Sequence, residues 1–196
     1  MAKILEQGRG FVILFKEAGE DSEKTAPSGM GVLYRLDMPV AGLIVAAKSG
    51  SEFEILSKRY FLICAGKLEN NTGTMEDFLY HDPRSNRTFP VKKMRKGVKE
   101  AKLSYEVLGY DAKEDLSFVS AVLDTGRTHQ IRAQFASRRH PLAGDGKYGS
   151  RIKCPVALTC GELTYRADAD SEAKTVRSDR KTEYPWNLFD AVDLPH

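Results

Sequence analysis

Short apolar runs, broken by proline, glycine and acidic turns, set the strongest limit on what this chain can fold into. Leu103, Tyr105 and Val107 fall at every second position, as do Phe118, Ser120 and Val122, with the polar stretch Asp111 to Asp115 between the two sets. Side chains repeating at period two share one face of a strand, so the pattern predicts two half-buried strands joined by a turn. Val32–Leu36 and Leu43–Ala47 form a second pair of apolar runs around Met38-Pro39, with Gly42 opening the second. Proline disfavours helical backbone in the residue before it, which places Asp37 in a loop between two strands. Further strands are predicted over Phe11–Phe15, Arg59–Ala65 and Val156–Leu163, with a loop from Glu17 to Met30.

Two helices are expected. Ser51-x-x-Glu54 has the form of a capping box and predicts a helix with Phe53, Leu56 and Tyr60 on one face. Thr128 is the expected cap of a helix from His129 to Ser137, with Ile131 and Phe135 four apart on its inner side. Short helices thus fall between strands without a regular alternation. That order favours an α+β fold, a mixed and largely antiparallel sheet flanked by short helices and loops.

At 196 residues the chain is read as one domain, long enough to bury a core without disulfide or metal support. No run approaches the roughly 20 apolar residues of a membrane span, and the N-terminus develops no apolar signal region. Cys64, Cys154 and Cys160 are odd in number and unpatterned, which fits a reducing, cytoplasmic setting. No Cys/His set has zinc-like spacing, so no metal is expected. Charge is segregated. Arg84, Arg87, Lys92, Lys93, Arg95, Lys96, Lys99 and Lys102 are opposed only by Glu100, a net +7 in a chain whose total is +3. A second basic stretch, Leu123 to Lys153, has seven Lys or Arg against Asp124 and Asp145. Such segregation is the footprint of a polyanion partner, although two solvated basic loops would look the same.

The common enzyme signatures are missing. Gly29-Met30-Gly31 has no strand before it and no third glycine, and there is no phosphate-binding GxxxxGK[ST], no GxSxG elbow and no HExxH. Four constellations remain. They are Tyr34-Arg35-Leu36-Asp37 with its following Met38-Pro39-Val40-Ala41-Gly42, Lys58-Arg59-Tyr60, Gly126-Arg127-Thr128-His129-Gln130-Ile131-Arg132, and His140-Pro141-Leu142-Ala143-Gly144-Asp145-Gly146-Lys147-Tyr148-Gly149. In this order they resemble the HRLD-motif (RluA-like) RNA pseudouridine synthases, over about Val32 to Leu163. The resemblance divides the chain into a divergent N-terminal strand and loop (1–31), a core with the family motifs (32–165) and a charged tail (166–196). Tyr184, Pro185 and Trp186 are expected to dock that tail.

The resemblance implies an enzyme that isomerises uridine in structured RNA, ribosomal RNA ahead of transfer RNA, as a monomer, without cofactor or metal and with no DNA or membrane partner. It places the indispensable carboxylate on Asp37 and the active-site tyrosine on Tyr60. Arg132, or else Arg127, becomes the cation beside the carboxylate. Arg35 becomes either a plug for the gap left by an everted base or a phosphate contact. Leu158 would wall the pocket, and Lys92, Lys93, Arg95 and Lys96 would grip phosphates. His129 and Gln130 are read as orienting the helix start, and Asp145 and Tyr148 as turn formers. Set against these roles are plainer ones: a turn carboxylate for Asp37, a core tyrosine for Tyr60, and a helix-surface ion pair with Asp124 or Asp145 for Arg132. The chain departs from the family at Tyr34, where His is usual, and at Lys16-Glu17-Ala18-Gly19, where Lys-Pro-Ala-Gly is usual. The expectation is a catalytic domain without an N-terminal RNA-binding domain, so that RNA grip comes from the catalytic part itself. The alternative is an inactive RNA-binding or ribosome-assembly protein with the same fold.

Overall fold

In the computed structural model, which describes residues 3–179 and 181–194, the N-terminal apolar run is one half of a hairpin. β1 (Lys3–Gly8) pairs antiparallel with β2 (Phe11–Lys16), whose Phe11, Val12, Ile13 and Leu14 are all buried. The segment Glu17 to Met30, expected as plain loop, contains one helical turn, α1 (Ser22–Thr25), capped by the Asp21 carboxylate. The apolar run from Val32 is strand only in β3 (Gly31–Val32). Beyond it, the Leu36 N–H donates to Ser22 Oγ and the Leu36 carbonyl accepts from the same hydroxyl, so a side chain replaces the sheet partner there. β4 (Ala41–Ala47) is buried throughout, and Asp37 lies in the loop between β3 and β4, as its sequence suggests.

The capping-box reading fails. Residues 54–65 form one twelve-residue strand, β5 (Glu54–Ala65), and Ser51 Oγ accepts only from the Phe53 N–H in a local turn. The five consecutive buried residues Tyr60 to Cys64 explain why. A helix at 3.6 residues per turn would rotate part of that run into solvent, whereas a strand covered on both faces buries it all.

β6 (Thr72–Asp82), β7 (Arg87–Val91), β8 (Val98–Asp111) and β9 (Leu116–Leu123) follow as antiparallel neighbours in the order β7-β6-β8-β9. The turn between β8 and β9 is held by Asp111, whose carboxylate accepts the Lys113 and Glu114 N–H groups. The helix after β9, α2 (Gln130–Ser137), starts one residue later than expected and Thr128 does not cap it. His129 takes the cap position at φ 53 with no side-chain cap, and the Thr128 carbonyl accepts from the Thr88 hydroxyl instead. Ile131 and Phe135 are buried as their spacing requires. The late apolar run becomes β10 (Leu158–Arg166), parallel to β4, and the charged tail adds an unexpected β11 (Lys174–Arg177), antiparallel to β10. The parallel pairing of β4 with β10 beside antiparallel neighbours, with few short helices, is the mixed α+β arrangement that the order of elements suggests.

Two compact units result. The first runs through Tyr60 and resumes from Leu158; the second holds Phe61–Ala157 and resumes from Lys181. Within the second, Phe118 meets Trp186 edge-on at 6.2 Å and Phe189 at 5.3 Å, so aromatics fix the end of the chain, while Tyr184 stays exposed. Within the first, β4 meets the backbone of β10 at Gly42. A Cβ there would lie 2.4 Å from the Cys160 nitrogen and 2.5 Å from its carbonyl oxygen, and φ is +134°. No neighbour can give way, because both clashing atoms are backbone. Gly42→Ala is expected to cost about 2–4 kcal/mol, read as a lower melting temperature in thermal unfolding.

Candidate active site

The loop carrying Asp37 is built around a buried ammonium. Lys16, at the end of β2, is wholly inaccessible, and its Nζ donates to the carbonyl oxygens of Val40 (2.7 Å), Glu17 (3.0 Å), Met38 (3.3 Å) and Asp37 (3.4 Å). Burial lowers the Lys16 pKa, opposed by the negative charges of Glu20, Asp37, Asp21 and Glu17. The loop is closed further by Val40 N–H donating to the Asp37 carbonyl (2.9 Å) and Gly19 N–H to that of Met38 (2.6 Å). The Asp37 backbone is therefore fixed from two sides, while its side chain is half-buried.

Tyr60, at the end of the first unit's N-terminal segment, is buried. Its hydroxyl is pushed well above the usual phenol range, first by burial, then by Cys160 and by the nearby Asp37 carboxylate. Cys160 lies 4.0 Å from the hydroxyl of Tyr34, which donates to the Leu43 carbonyl at 2.7 Å. Burial pushes the Cys160 thiol up to about 11. Lys58 Nζ stands 3.9 Å from the Tyr34 ring centroid, a cation–π contact, with burial lowering its pKa. Arg35 is exposed, and Leu158 is buried at the start of β10. Thus Asp37, Tyr60, Arg35 and Leu158 share one unit, and Asp37 is close enough to Tyr60 to act on its proton affinity.

In the second unit Arg132 is buried on α2 and makes a two-pronged ion pair with Asp145, Nε to Oδ2 at 2.7 Å and Nη2 to Oδ1 at 2.9 Å. The ion pair with Asp145 is therefore real, but it is an interior pair and not one on a helix surface. Asp145 does more than form a turn: it anchors the guanidinium. The Tyr148 ring lies 5.0 Å from that guanidinium, and its hydroxyl accepts from the Thr88 N–H and bonds His129 Nδ1 at 2.9 Å. Gln130 ties the helix start, accepting from the Arg127 N–H and donating to the Lys102 carbonyl, in keeping with an orienting role. Arg127 itself is half-exposed, with Nε donating to the Glu100 carbonyl. Lys92, Lys93, Arg95 and Lys96 are exposed in the loop between β7 and β8, with Arg95 beside the Tyr80 ring. Arg87, on the same sheet, rests against the Phe89 and Tyr148 rings with its Nε buried and unbonded. No group of three or more His, Cys, Asp or Glu suited to a metal occurs among the described residues.

Sequence reasoning missed Lys16 as the loop's anchor and Cys160 as a neighbour of Tyr34; the ion pair of Arg132 with Asp145 it named, but on the helix surface and not in the interior. For Lys16 the only available signal was its place in the Lys16-Glu17-Ala18-Gly19 segment. Replacing Lys16 by Met, which keeps the stem but strips the donors, is expected to destabilise the protein by about 2–4 kcal/mol. Hydrogen exchange should show the Val40 amide losing protection ahead of the strands.

Comparison with known proteins adds to this geometry. A family profile described as RNA pseudouridylate synthase matches residues 14–137, more than half of the chain. Over 131 residues the chain is 37% identical to the uncharacterized RNA pseudouridine synthase YhcT of Bacillus subtilis (strain 168), covering 62% of this chain and 42% of that protein. Over 171 residues it is 34% identical to ribosomal large subunit pseudouridine synthase D of Nitrosomonas europaea, covering 81% of this chain and 43% of that one. The chain thus spans less than half the length of these relatives. In fold it is similar to a solved structure titled Human RNA Pseudouridylate Synthase Domain Containing 4, with TM-score 0.76 at 16% identity over 99% of this chain and 95% of the other.

Proposed function

The chain belongs to the RNA pseudouridylate synthase family, and from that footing we propose that it isomerises uridines in structured RNA, ribosomal RNA foremost. In that reaction the bond from the ribose C1′ to uracil N1 breaks, the base turns, and C1′ joins C5. The C5 proton leaves and N1 gains one, so nothing is oxidised or reduced. The observation that carries the reading is the Asp37 loop: a carboxylate whose backbone is clamped by Lys16, with Tyr60 in its electrostatic reach.

Asp37 supplies the carboxylate that the cleavage demands, at the anomeric carbon or at a neighbouring sugar proton. Tyr60 offers a ring for uracil to stack on and a hydroxyl near its reacting edge. Arg132 is the cation that the family resemblance assigns to the reaction, and its grip by Asp145 fixes the guanidinium's orientation. Arg35, exposed beside the loop, fits either the gap left by an everted base or a phosphate, and Leu158 lines the base's pocket. Arg127 and the exposed cations Lys92, Lys93, Arg95 and Lys96 take backbone phosphates. The name of one relative, a ribosomal large subunit pseudouridine synthase, supports ribosomal RNA as the substrate class.

RNA tritiated at uracil C5 tests the reading. An isomerase releases the tritium and keeps the base attached, an RNA-binding protein without activity does neither, and a glycosylase would free the uracil. Asp37→Asn is expected to abolish release while RNA affinity stays within a few-fold; retained turnover would place the reacting carboxylate elsewhere. Reversing the charge at Lys92, Lys93, Arg95 and Lys96 should raise KM and flatten its dependence on salt, by about 0.7–0.9 log units for each phosphate that is no longer neutralised. An unchanged slope would make that loop a bystander.

A further inference from the structure

Arg87 is a half-buried cation that no carboxylate answers. It opens β7, the strand that closes the sheet at one edge. Its guanidinium carbon lies 5.8 Å from the Phe89 ring centroid and 5.5 Å from that of Tyr148, and its Nε is buried without a hydrogen-bond partner. Two acids near it are engaged elsewhere. Asp82 stands directly across the ladder from Arg87, but its carboxylate holds its own turn, accepting from the Arg84 N–H at 3.0 Å and the Ser85 hydroxyl at 2.7 Å. Asp145 takes the fork of Arg132, whose guanidinium lies 5.0 Å from the same Tyr148 ring. Lys147 adds positive charge beside Arg87, its Nζ donating to the Asn86 carbonyl at 3.1 Å. Among the described residues no ion pair joins Arg87 to a carboxylate.

Aromatic contact supports a guanidinium without using its N–H donors, and a buried donor on a charged group is costly until an acceptor meets it. A planar fork of such donors matches carboxylate or phosphate. The surrounding chain selects between them. β7 runs from Arg87 directly into Lys92 and Lys93, with Arg95 and Lys96 next in the same exposed loop. At about 3.3 Å per residue Arg87 and Lys92 are roughly 17 Å apart, so only an anion with several linked charges engages both. We propose that Arg87 is a phosphate-binding site for RNA, taking one phosphodiester of a strand whose neighbouring phosphates lie on the loop from Lys92 to Lys96. That the phosphodiester belongs to RNA rests on the reading above; that the Nε donor suits an oxyanion does not.

A nuclear magnetic resonance titration of the whole protein tests this without catalysis. The proton–nitrogen signal of the Arg87 Nε–H, identified by its disappearance in Arg87→Lys, should move downfield when a short oligouridine is added, as the proton meets a phosphate oxygen. A signal that stays in place while fluorescence anisotropy shows the oligouridine bound overturns the proposal, and so does an oligouridine that fails to bind. A signal that answers to inorganic phosphate and not to the oligouridine also overturns it, since the donor would then take a free anion only. By anisotropy, Arg87→Gln is expected to weaken oligouridine binding about tenfold in dilute salt and to reduce the slope of log affinity against log salt by about 0.7. Weaker binding with an unchanged slope would make Arg87 a support for the Tyr148 ring and overturn the phosphate contact. Wild-type protein that shifts the signal with oligouridine but releases no tritium from C5-labelled RNA would remove the isomerase reading and leave this site standing.

Discussion

One ammonium group organises the first unit. Lys16 Nζ reaches four carbonyl oxygens, three of them in the loop from Asp37 to Val40, and no water-exposed surface remains on the residue. Burying a charge is costly unless its donors are all met, so the loop's carbonyls must stay converged for as long as the lysine stays inside. The Asp37 and Met38 carbonyls also accept from the Val40 and Gly19 N–H groups, so the ammonium adds a second donor to a loop that its own backbone already closes. The loop is thereby tied by three of its carbonyls to the end of β2, and a reacting carboxylate needs such a fixed backbone.

The second unit solves a similar problem with paired charge. Arg132 is as buried as a core leucine, and Asp145 matches its fork with two short bonds, while the Tyr148 ring covers it. Tyr148 in turn is held by Thr88 on β7 and His129 at the start of α2, so helix, strand and turn meet at one guanidinium. Arginine suits this place where lysine would not, because a planar fork gives two bonds to a carboxylate and still presents a face to an aromatic ring.

What could be read from the sequence follows from how local the cause was. The β8–β9 hairpin was legible because period-two alternation and the Asp111 turn are both properties of neighbouring residues. Asp37 in a loop was legible because Pro39 acts on the residue before it. Ser51 and Glu54 misled, since two residues of a capping pattern were weighed above the five apolar residues Tyr60 to Cys64 that settle β5 as a strand. β1 and β11 gave no local signal: their side chains are mostly polar and exposed, and each exists because a neighbouring strand offers it a ladder. Asp145 read both as a turn former and as one of two possible ionic partners of Arg132, and only the packing around α2 puts that pair in the interior. The site residues were found by resemblance and not by periodicity, and the contacts that orient them were invisible because each joins segments far apart in the chain.

The tyrosine–cysteine cluster differs in kind from the two charged anchors. Burial drives Tyr34, Tyr60 and Cys160 all in one direction, toward keeping their protons. A group whose proton affinity rises stays neutral through the range in which enzymes work, so none of the three changes its donor or acceptor role as pH moves around neutrality. That constancy gives the cluster its value. An ionisable partner such as histidine at position 34 could switch its bonding with pH or tautomer, whereas a phenol committed to the Leu43 carbonyl has a single arrangement. Charge fixes where the carboxylate loop sits, and the phenols and thiol near it stay neutral.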